Sequence, residues 1–184
     1  MDRKQLITIE QFRALSRPTS AHLDEEEVNA YIRECEDCFI IPTIGWANFK
    51  GATGVSTWEG TFDATFKAET ILDGGEWSTE EEDECGNKVK KEYYCCGIRK
   101  ALAYFVYAKL LRADGTIVSR AGSMRHRDAD GDHIDDTKLK QYNDTMNMAE
   151  RYLSSCLMYL KKHIKNKQVK TVRGSRAHIH AIGD

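Results

Sequence analysis

Residues 95–112, CCGIRKALAYFVYAKLLR, form the most apolar stretch of the chain and decide its fold. Apolar residues recur three and four positions apart, and further apolar residues widen that face beyond a narrow seam. The pattern predicts a central, largely buried helix, and Gly115 after it is a stop signal. Its face consists of Ile98, Ala101, Leu102, Phe105, Ala108 and Leu111, widened by Val106 and Leu110.

A second long helix is predicted over residues 139–164 and should pack antiparallel against the central helix. Its apolar positions also recur at three- and four-residue spacing, with one extra apolar step. They are Leu139, Tyr142, Met146, Ala149, Leu153, Cys156, Leu157, Leu160 and Ile164.

Shorter helices are expected in the first half of the chain, over residues 8–15, 24–41 and 61–72. Asp24 with Glu27 resembles a capping box at the start of the second, and Pro42 predicts a kink or stop near Ile41. Residues 44–49 are expected to form a single helical turn. The apolar face of the second helix contains Val28, Tyr31, Ile32, Cys35, Cys38 and Phe39.

The remaining segments predict little regular structure. Residues 76–84, EWSTEEEDE, are interpreted as an acidic loop, and residues 88–94 as a strand or an approach to the central helix. Residues 116–127 are expected to form a strand or an extended hairpin loop. The predicted fold is therefore mainly α: an antiparallel helix bundle with a small extended β-hairpin or loop element and a C-terminal arm. Its domain covers residues 1–164, with the extended loop at 115–135, and the basic arm covers residues 165–184.

Composition excludes several classes of protein. The chain has 184 residues with 41% apolar and 30% charged, which is room for one domain. No stretch approaches the roughly 20 apolar residues that cross a bilayer, so no membrane contact is expected. The beginning of the chain lacks the pattern of a secretory signal, so we expect a soluble, intracellular protein with reduced cysteines that serve as small buried hydrophobes.

Catalytic motifs are not found in the sequence. There is no phosphate-binding glycine loop, no GxSxG and no HExxH, so neither an enzyme nor a cofactor is expected. The pair Cys35 and Cys38 has the spacing of zinc and redox sites, but it lies within a predicted helix and lacks a second pair of ligands. Core packing is therefore the favoured interpretation of this pair.

A run of carboxylates before the long helix is the weak metal candidate. Asp128, Asp130 and Asp132 have the first three spacings of a calcium loop. However, His133 replaces the glycine of the sharp turn, and Leu139 stands where a bidentate glutamate is needed. The alternative is a polar turn whose last aspartate caps the helix.

The order of several short segments resembles the head–tail connector proteins of tailed bacteriophages, also called head-completion or adaptor proteins. The resemblance covers roughly residues 6–163 and is closest to the version carried by crAss-like phages of gut Bacteroidetes. The segments are ITIEQF (7–12), IPTIGWANF (41–49), LDGGEW (72–77), GIRKALAYFVYAKLLRADGTIVSRAGSMRHRD (97–128) and YNDTMNMAERYLSSCLMYL (142–160).

This resemblance implies a virion structural protein with no catalytic residues, made in the host cytoplasm and located at the head–tail junction. Its subunits would form a ring, commonly of twelve copies, below the portal protein. The ring would contact other connector or tail proteins and let genomic DNA pass without sequence recognition. The expected subunit or partner contacts are Arg120, Arg125 and Arg127 in the extended loop and Lys165, Lys167, Lys170, Arg173 and Arg176 in the arm.

Two alternatives stay open from the sequence. One is a calcium-stabilised binding module built on the Asp128–Asp132 run. The other is a small intracellular DNA-binding protein that uses the basic arm, although that arm lacks the aromatic residues that usually accompany such patches.

Overall fold

The structure is a computed structural model of the chain. It describes residues 3–19, 23–58, 62–82, 87–113, 116–119, 122–125 and 136–164, and for 113, 116–119, 122–125 and 136–138 only the backbone. The protein is mainly helical, as the sequence predicts, and it contains two small antiparallel hairpins.

Short helices make up the first part of the chain, and their positions agree with most of the predicted ones. Helix α1 begins with a reciprocal capping box between Thr8 and Gln11. The side chain of Asp24 caps α2 by accepting a hydrogen bond from the Glu26 N–H, so its partner is not the predicted Glu27. The helices are α1 (Ile9–Leu15), α2 (Glu25–Cys35), α3 (Ile41–Ile44), α4 (Trp46–Ala52) and α5 (Ala68–Asp73).

A π-helical segment, Glu36–Ile40, joins α2 to α3 without a break. The buried residues from α2 to α3 lie four positions apart. Because an α-helix has 3.6 residues per turn, each of them would be rotated by about 40° around the helix axis from the one before. A wider π turn takes up part of this rotation. Of the kink or stop predicted near Ile41, the stop is wrong: Pro42 fits the first turn of α3, and the helix ends at Gly45, whose φ is 83°. The buried series is Val28, Ile32, Glu36, Ile40 and Ile44.

The first hairpin corrects the prediction of an acidic loop. Strand β1 (Gly75–Glu82) pairs antiparallel with β2 (Lys88–Cys95). In this register Glu80 lies opposite Lys90 and Glu82 opposite Lys88. Opposite charges across the strands offset the low strand propensity of glutamate, a long-range effect that the acidic run alone does not reveal.

The two long helices pack antiparallel, as predicted. Helix α6 (Ile98–Ala113) and helix α7 (Asp136–His163) form the most extensive contact in the described chain. Contacts made by later residues of α6 involve earlier residues of α7, as expected for antiparallel helices. Cys95, just before α6, contacts Cys156, Tyr104 contacts Tyr152, and Arg112 lies over the Tyr142 ring. In the segment of the chain that follows α6 and precedes α7, strands β3 (Thr116–Ser119) and β4 (Gly122–Arg125) form the predicted extended hairpin.

The core surrounds α6. In the middle of α6, the consecutive residues Ala101, Leu102 and Ala103 are fully buried, whereas Tyr104 and Tyr107 are half-buried. Leu139 was predicted to be buried but is 55% exposed, because it precedes the turn of α7 that meets the last turn of α6. The other residues predicted for this face of α7 are buried (Ala149, Leu153, Cys156 and Leu160) or half-buried (Tyr142, Met146, Leu157 and Ile164). Thr145, Tyr159 and His163 are also buried on α7.

No helix in the described ranges is both long enough and apolar enough to cross a membrane.

Candidate assembly surface

Most of the side chains that the sequence nominated lie outside the described residues. Arg125 is the last residue of β4, and only its backbone is described. The structure therefore does not test whether these side chains lie close together. Those outside the described ranges are Arg120, Arg127, Lys165, Lys167, Lys170, Arg173 and Arg176, together with the calcium candidates Asp128, Asp130 and Asp132.

The outer face of the β1–β2 hairpin carries a ladder of opposite charges. Side chains alternate along β1, so Glu76, Ser78, Glu80 and Glu82 are exposed on one face. Their partners on β2 are Tyr94, Glu92, Lys90 and Lys88 respectively. This face is therefore acidic along β1 and basic along the outer half of β2.

The inner face of the hairpin lies against the C-terminal half of α7. Trp77 stacks on Tyr93 with ring centroids 4.8 Å apart, and its edge meets Tyr159 of α7 at 5.5 Å. Further along the hairpin, Glu81 accepts hydrogen bonds from Lys91 at 2.9 Å and from the Tyr93 hydroxyl. Both hydrogen bonds lower the pKa of the Glu81 carboxyl. The aromatic contacts thus fix the base of the hairpin on the helical body.

An open groove runs between this hairpin and α7. Trp77, Tyr93, Leu157 and Met158 supply its apolar lining, and Met158 is 45% exposed. The rim is charged, with Lys162 4.0 Å from Glu81. Partly apolar, charge-rimmed surfaces of this kind suit protein–protein contact.

The end of α7 is tied to the segment before α5. Because a carboxylate can only accept, His163 Nδ1 donates to Asp63 at 3.1 Å. Burial acts to raise the pKa of Asp63, but hydrogen bonds from Thr65 and His163 outweigh it and hold that pKa below its usual value. The Tyr159 hydroxyl accepts a hydrogen bond from the Lys67 N–H at 2.7 Å. These contacts hold the groove wall in place.

A second charged surface lies at the start of α2. Glu25, Glu26 and Glu27 are exposed there, and Glu25 is 3.4 Å from Arg13. Glu26 and Glu27 have no ion pair with any residue in the described ranges. The three carboxylates form an acidic surface at the first turn of α2, called the α2 acidic surface below.

Helices α2 and α7 contact different sides of α6. From the α2–α3 side, Phe39 stacks on Phe105 at 4.4 Å, and Glu34 pairs with Lys109 at 2.6 Å. From the α7 side, Tyr152 meets Tyr104 edge-on at 5.0 Å. The α2 acidic surface and the groove beside α7 therefore belong to different parts of the subunit surface.

Glu36 is the charged residue that the sequence analysis missed. It is fully buried, accepts a hydrogen bond from the Leu6 N–H at 2.6 Å and pairs with Arg3 at 2.8 Å. Burial raises the pKa of this carboxyl, and the contacts with Leu6 and Arg3 offset that effect only in part. Its position four residues after Ile32, on the same helical face, was the available signal.

The described cysteines are all free thiols. Core packing is confirmed for Cys35, whose pKa burial raises to about 12. The prediction is wrong for Cys38, which is exposed just after the π turn begins. Cys95 and Cys156 are buried with their Sγ atoms 3.7 Å apart, and this contact together with burial raises the pKa of Cys156. Among the described residues, no group of three or more His, Cys, Asp and Glu could hold a metal ion.

Comparison with known proteins finds one matching family, described as "Family of unknown function (DUF6712)", over residues 41–172. The chain belongs to this family. The DUF6712 match includes both hairpins and the α6–α7 pair, whereas α1 and α2 precede it. No curated protein and no solved structure matches the chain.

Proposed function

We propose that this protein is a virion structural protein, a subunit of the head–tail connector ring of a tailed bacteriophage. The proposal starts from the resemblance over roughly residues 6–163. It places the protein at the head–tail junction after synthesis in the host cytoplasm. The subunit would dock below the portal protein, extend the DNA channel and join the capsid to the tail, without making or breaking bonds.

The observation that carries the proposal is the separation of two unlike surfaces. The α2 acidic surface and the groove with Lys161 and Lys162 at its rim lie in different parts of the subunit surface, because α2 and α7 contact different sides of α6. A ring uses head-to-tail contacts, in which two different surfaces of each subunit must complement each other. The α2 acidic surface and the groove, whose rim carries Lys161 and Lys162 beside Glu81, are two unlike surfaces of this kind.

In this proposal the helices form an antiparallel bundle that acts as the body of the subunit. The β3–β4 hairpin, which ends at Arg125, reaches a neighbouring subunit or the channel. The basic arm, residues 165–184, clamps a partner and orders when it binds. The ring would hold twelve copies, contact portal and tail proteins, and surround genomic DNA without reading its sequence.

The direct test is the size and shape of the purified protein, alone and with the portal protein. Native mass spectrometry and negative-stain imaging should show rings that bind the portal. A chain that stays monomeric with every other virion component, or that turns over a small metabolite, contradicts the proposal.

Charge reversal tests the role of the α2 acidic surface. Glu26→Lys should weaken association several-fold, and added salt should have the same effect because exposed charges are screened. Glu69→Lys is the matched control, since Glu69 is also an exposed acidic residue in the first turn of its helix, α5. Equal association of both variants with themselves would exclude this surface from the ring contact.

Deletion of residues 166–184 tests the arm. The truncated chain should fold, since the described helices end before this segment, but should lose assembly with portal or tail partners. Unchanged assembly would refute the clamp while leaving the ring itself in place.

A further inference from the structure

The β1–β2 sheet has two strands, and neither outer edge is paired with any described residue. In an antiparallel pair, every second residue points its N–H and C=O away from the partner strand. Both edges of this hairpin therefore present rows of unused backbone donors and acceptors, which are ready templates for another strand.

The two edges carry opposite charge. Strand β1 contains Glu76 and residues 80–82, all glutamate, whereas β2 contains Lys88, Lys90 and Lys91 against one glutamate, Glu92. Lysine on an edge strand discourages pairing with a like edge. Two β2 edges should therefore repel each other, as should two β1 edges, whereas β1 and β2 of different copies attract.

We propose that β1 of one copy pairs with β2 of the next copy, so that the sheet continues from subunit to subunit. The partner is a second copy of this chain, and the proposal rests on the proposed function because it identifies a contact of that ring. Neighbours in a ring are related by a small rotation, so their β1 strands run in nearly the same direction. The new pair, β2 with the neighbour's β1, is therefore antiparallel like the pair within each hairpin.

Exposed apolar side chains on β2 support this contact. Tyr94 is 60% exposed and Val89 is 42% exposed, although both lie on a strand. A neighbouring strand would cover part of each, and tyrosine is enriched in protein interfaces. On the outer face, the Glu80–Lys90 and Glu82–Lys88 pairs would repeat across copies as a continuous charge ladder.

The test exchanges the charges of the two edges within one chain. The variant E80K/E82K/K88E/K90E keeps both cross-strand pairs of the hairpin, because lysine and glutamate trade places in the same register. It should therefore fold and assemble with itself. Mixed with wild type, it should segregate, because each mixed junction places like charges opposite each other on the outer face.

Wild-type and swapped chains carry tags of different mass, so native mass spectrometry measures how many copies of each chain an assembly contains. The control variant is R17D/D144R. It exchanges the two members of an ion pair of 2.8 Å between Arg17, which follows α1, and Asp144 of α7. This variant should mix with wild type statistically. Circular dichroism and thermal unfolding check the fold of each variant. If four changes prevent folding, E82K/K88E gives the same test with a smaller change of charge.

The outcomes separate this pairing from the proposed function. Statistical mixing of the swapped variant with wild type in portal-binding rings overturns the pairing and leaves the proposed function standing. A folded swapped variant that does not assemble with itself, while wild type does, also overturns the pairing. Segregated assemblies that form open filaments without binding the portal support the pairing and contradict the connector function. A wild-type chain that is monomeric under all conditions overturns both.

Discussion

The buried carboxylate of Glu36 accepts a hydrogen bond from the backbone N–H of Leu6 over 2.6 Å. Thirty residues separate the two groups along the chain, and Arg3 adds an ion pair to the same carboxylate at 2.8 Å. Glu36 therefore joins the segment before α1 to the π turn between α2 and α3.

Replacing Glu36 by alanine should destabilise the protein by about 2–3 kcal/mol. The substitution leaves the buried Leu6 N–H without an acceptor and removes one of the two carboxylates that pair with Arg3, the other being Asp37. Glu34→Ala is the matched control in the preceding turn, because it breaks an exposed pair with Lys109 and should cost about 0–1 kcal/mol. Urea unfolding of both variants measures the difference, and equal losses would contradict the role of Glu36.

The same carboxyl should make stability depend on pH. Burial raises its pKa above the ordinary value of 4.5, so the folded state binds this proton more tightly than the unfolded state. The free energy of unfolding should therefore decrease as pH rises from about 4.5 through the raised folded pKa. Glu36→Gln cannot ionise and should lack this decrease, so the difference between the two proteins should change with pH. Parallel curves of unfolding free energy between pH 4.5 and 8 would refute this.

Replacing Gly97 by alanine should cost more than about 2 kcal/mol. Its φ is 88°, a conformation that costs an L-residue roughly 1–2 kcal/mol, and a Cβ there would lie 2.7 Å from the backbone carbon of Asp73. Gly75→Ala is the control, since its Cβ would meet Thr70 at an ordinary 3.5 Å. Thermal unfolding should show a large loss for Gly97→Ala and little change for Gly75→Ala. A small loss for Gly97→Ala would mean that the backbone there can adjust.

Tyr159→Phe should destabilise the protein by about 1 kcal/mol, because the Lys67 N–H loses its acceptor. The phenyl ring would keep the aromatic contacts with Trp77 and Phe66. Tyr94→Phe is the control, since Tyr94 is exposed and should tolerate the change. Chemical unfolding of the two variants compares them, and a Tyr159→Phe protein as stable as wild type would exclude a role for this hydrogen bond.

Helical periodicity in the sequence was sufficient to predict the central pair of helices. The apolar spacing in residues 95–112 and 139–164 led to α6, α7 and their antiparallel contact. Helix α5 ends at Gly74, whose φ of 97° is a backbone conformation that residues other than glycine avoid. The β3–β4 hairpin was also expected from its β-branched residues and alternation.

Long-range pairing explains what the sequence did not reveal. Strand β1 resembles an acidic loop in the sequence, because the lysines that stabilise its glutamates lie on β2, six to ten residues further along the chain. Glu36 was left out of the apolar face because it is charged, although its spacing from Ile32 places it there. The π turn also rotated Cys38 outward, which an ideal 3.6-residue period cannot anticipate.

The two ends of the β1–β2 hairpin meet at one place. At Gly97 an added Cβ would lie 2.8 Å from the backbone nitrogen of Gly74, so the strands leave and rejoin the body through adjacent backbone. A pull on the tip of this hairpin would therefore reach the body through the glycine junction at the start of α6, and through the contacts of Trp77, Glu81 and Cys95 with the C-terminal part of α7. Mechanical load would thus enter the two longest helices at their neighbouring ends, where they can share it.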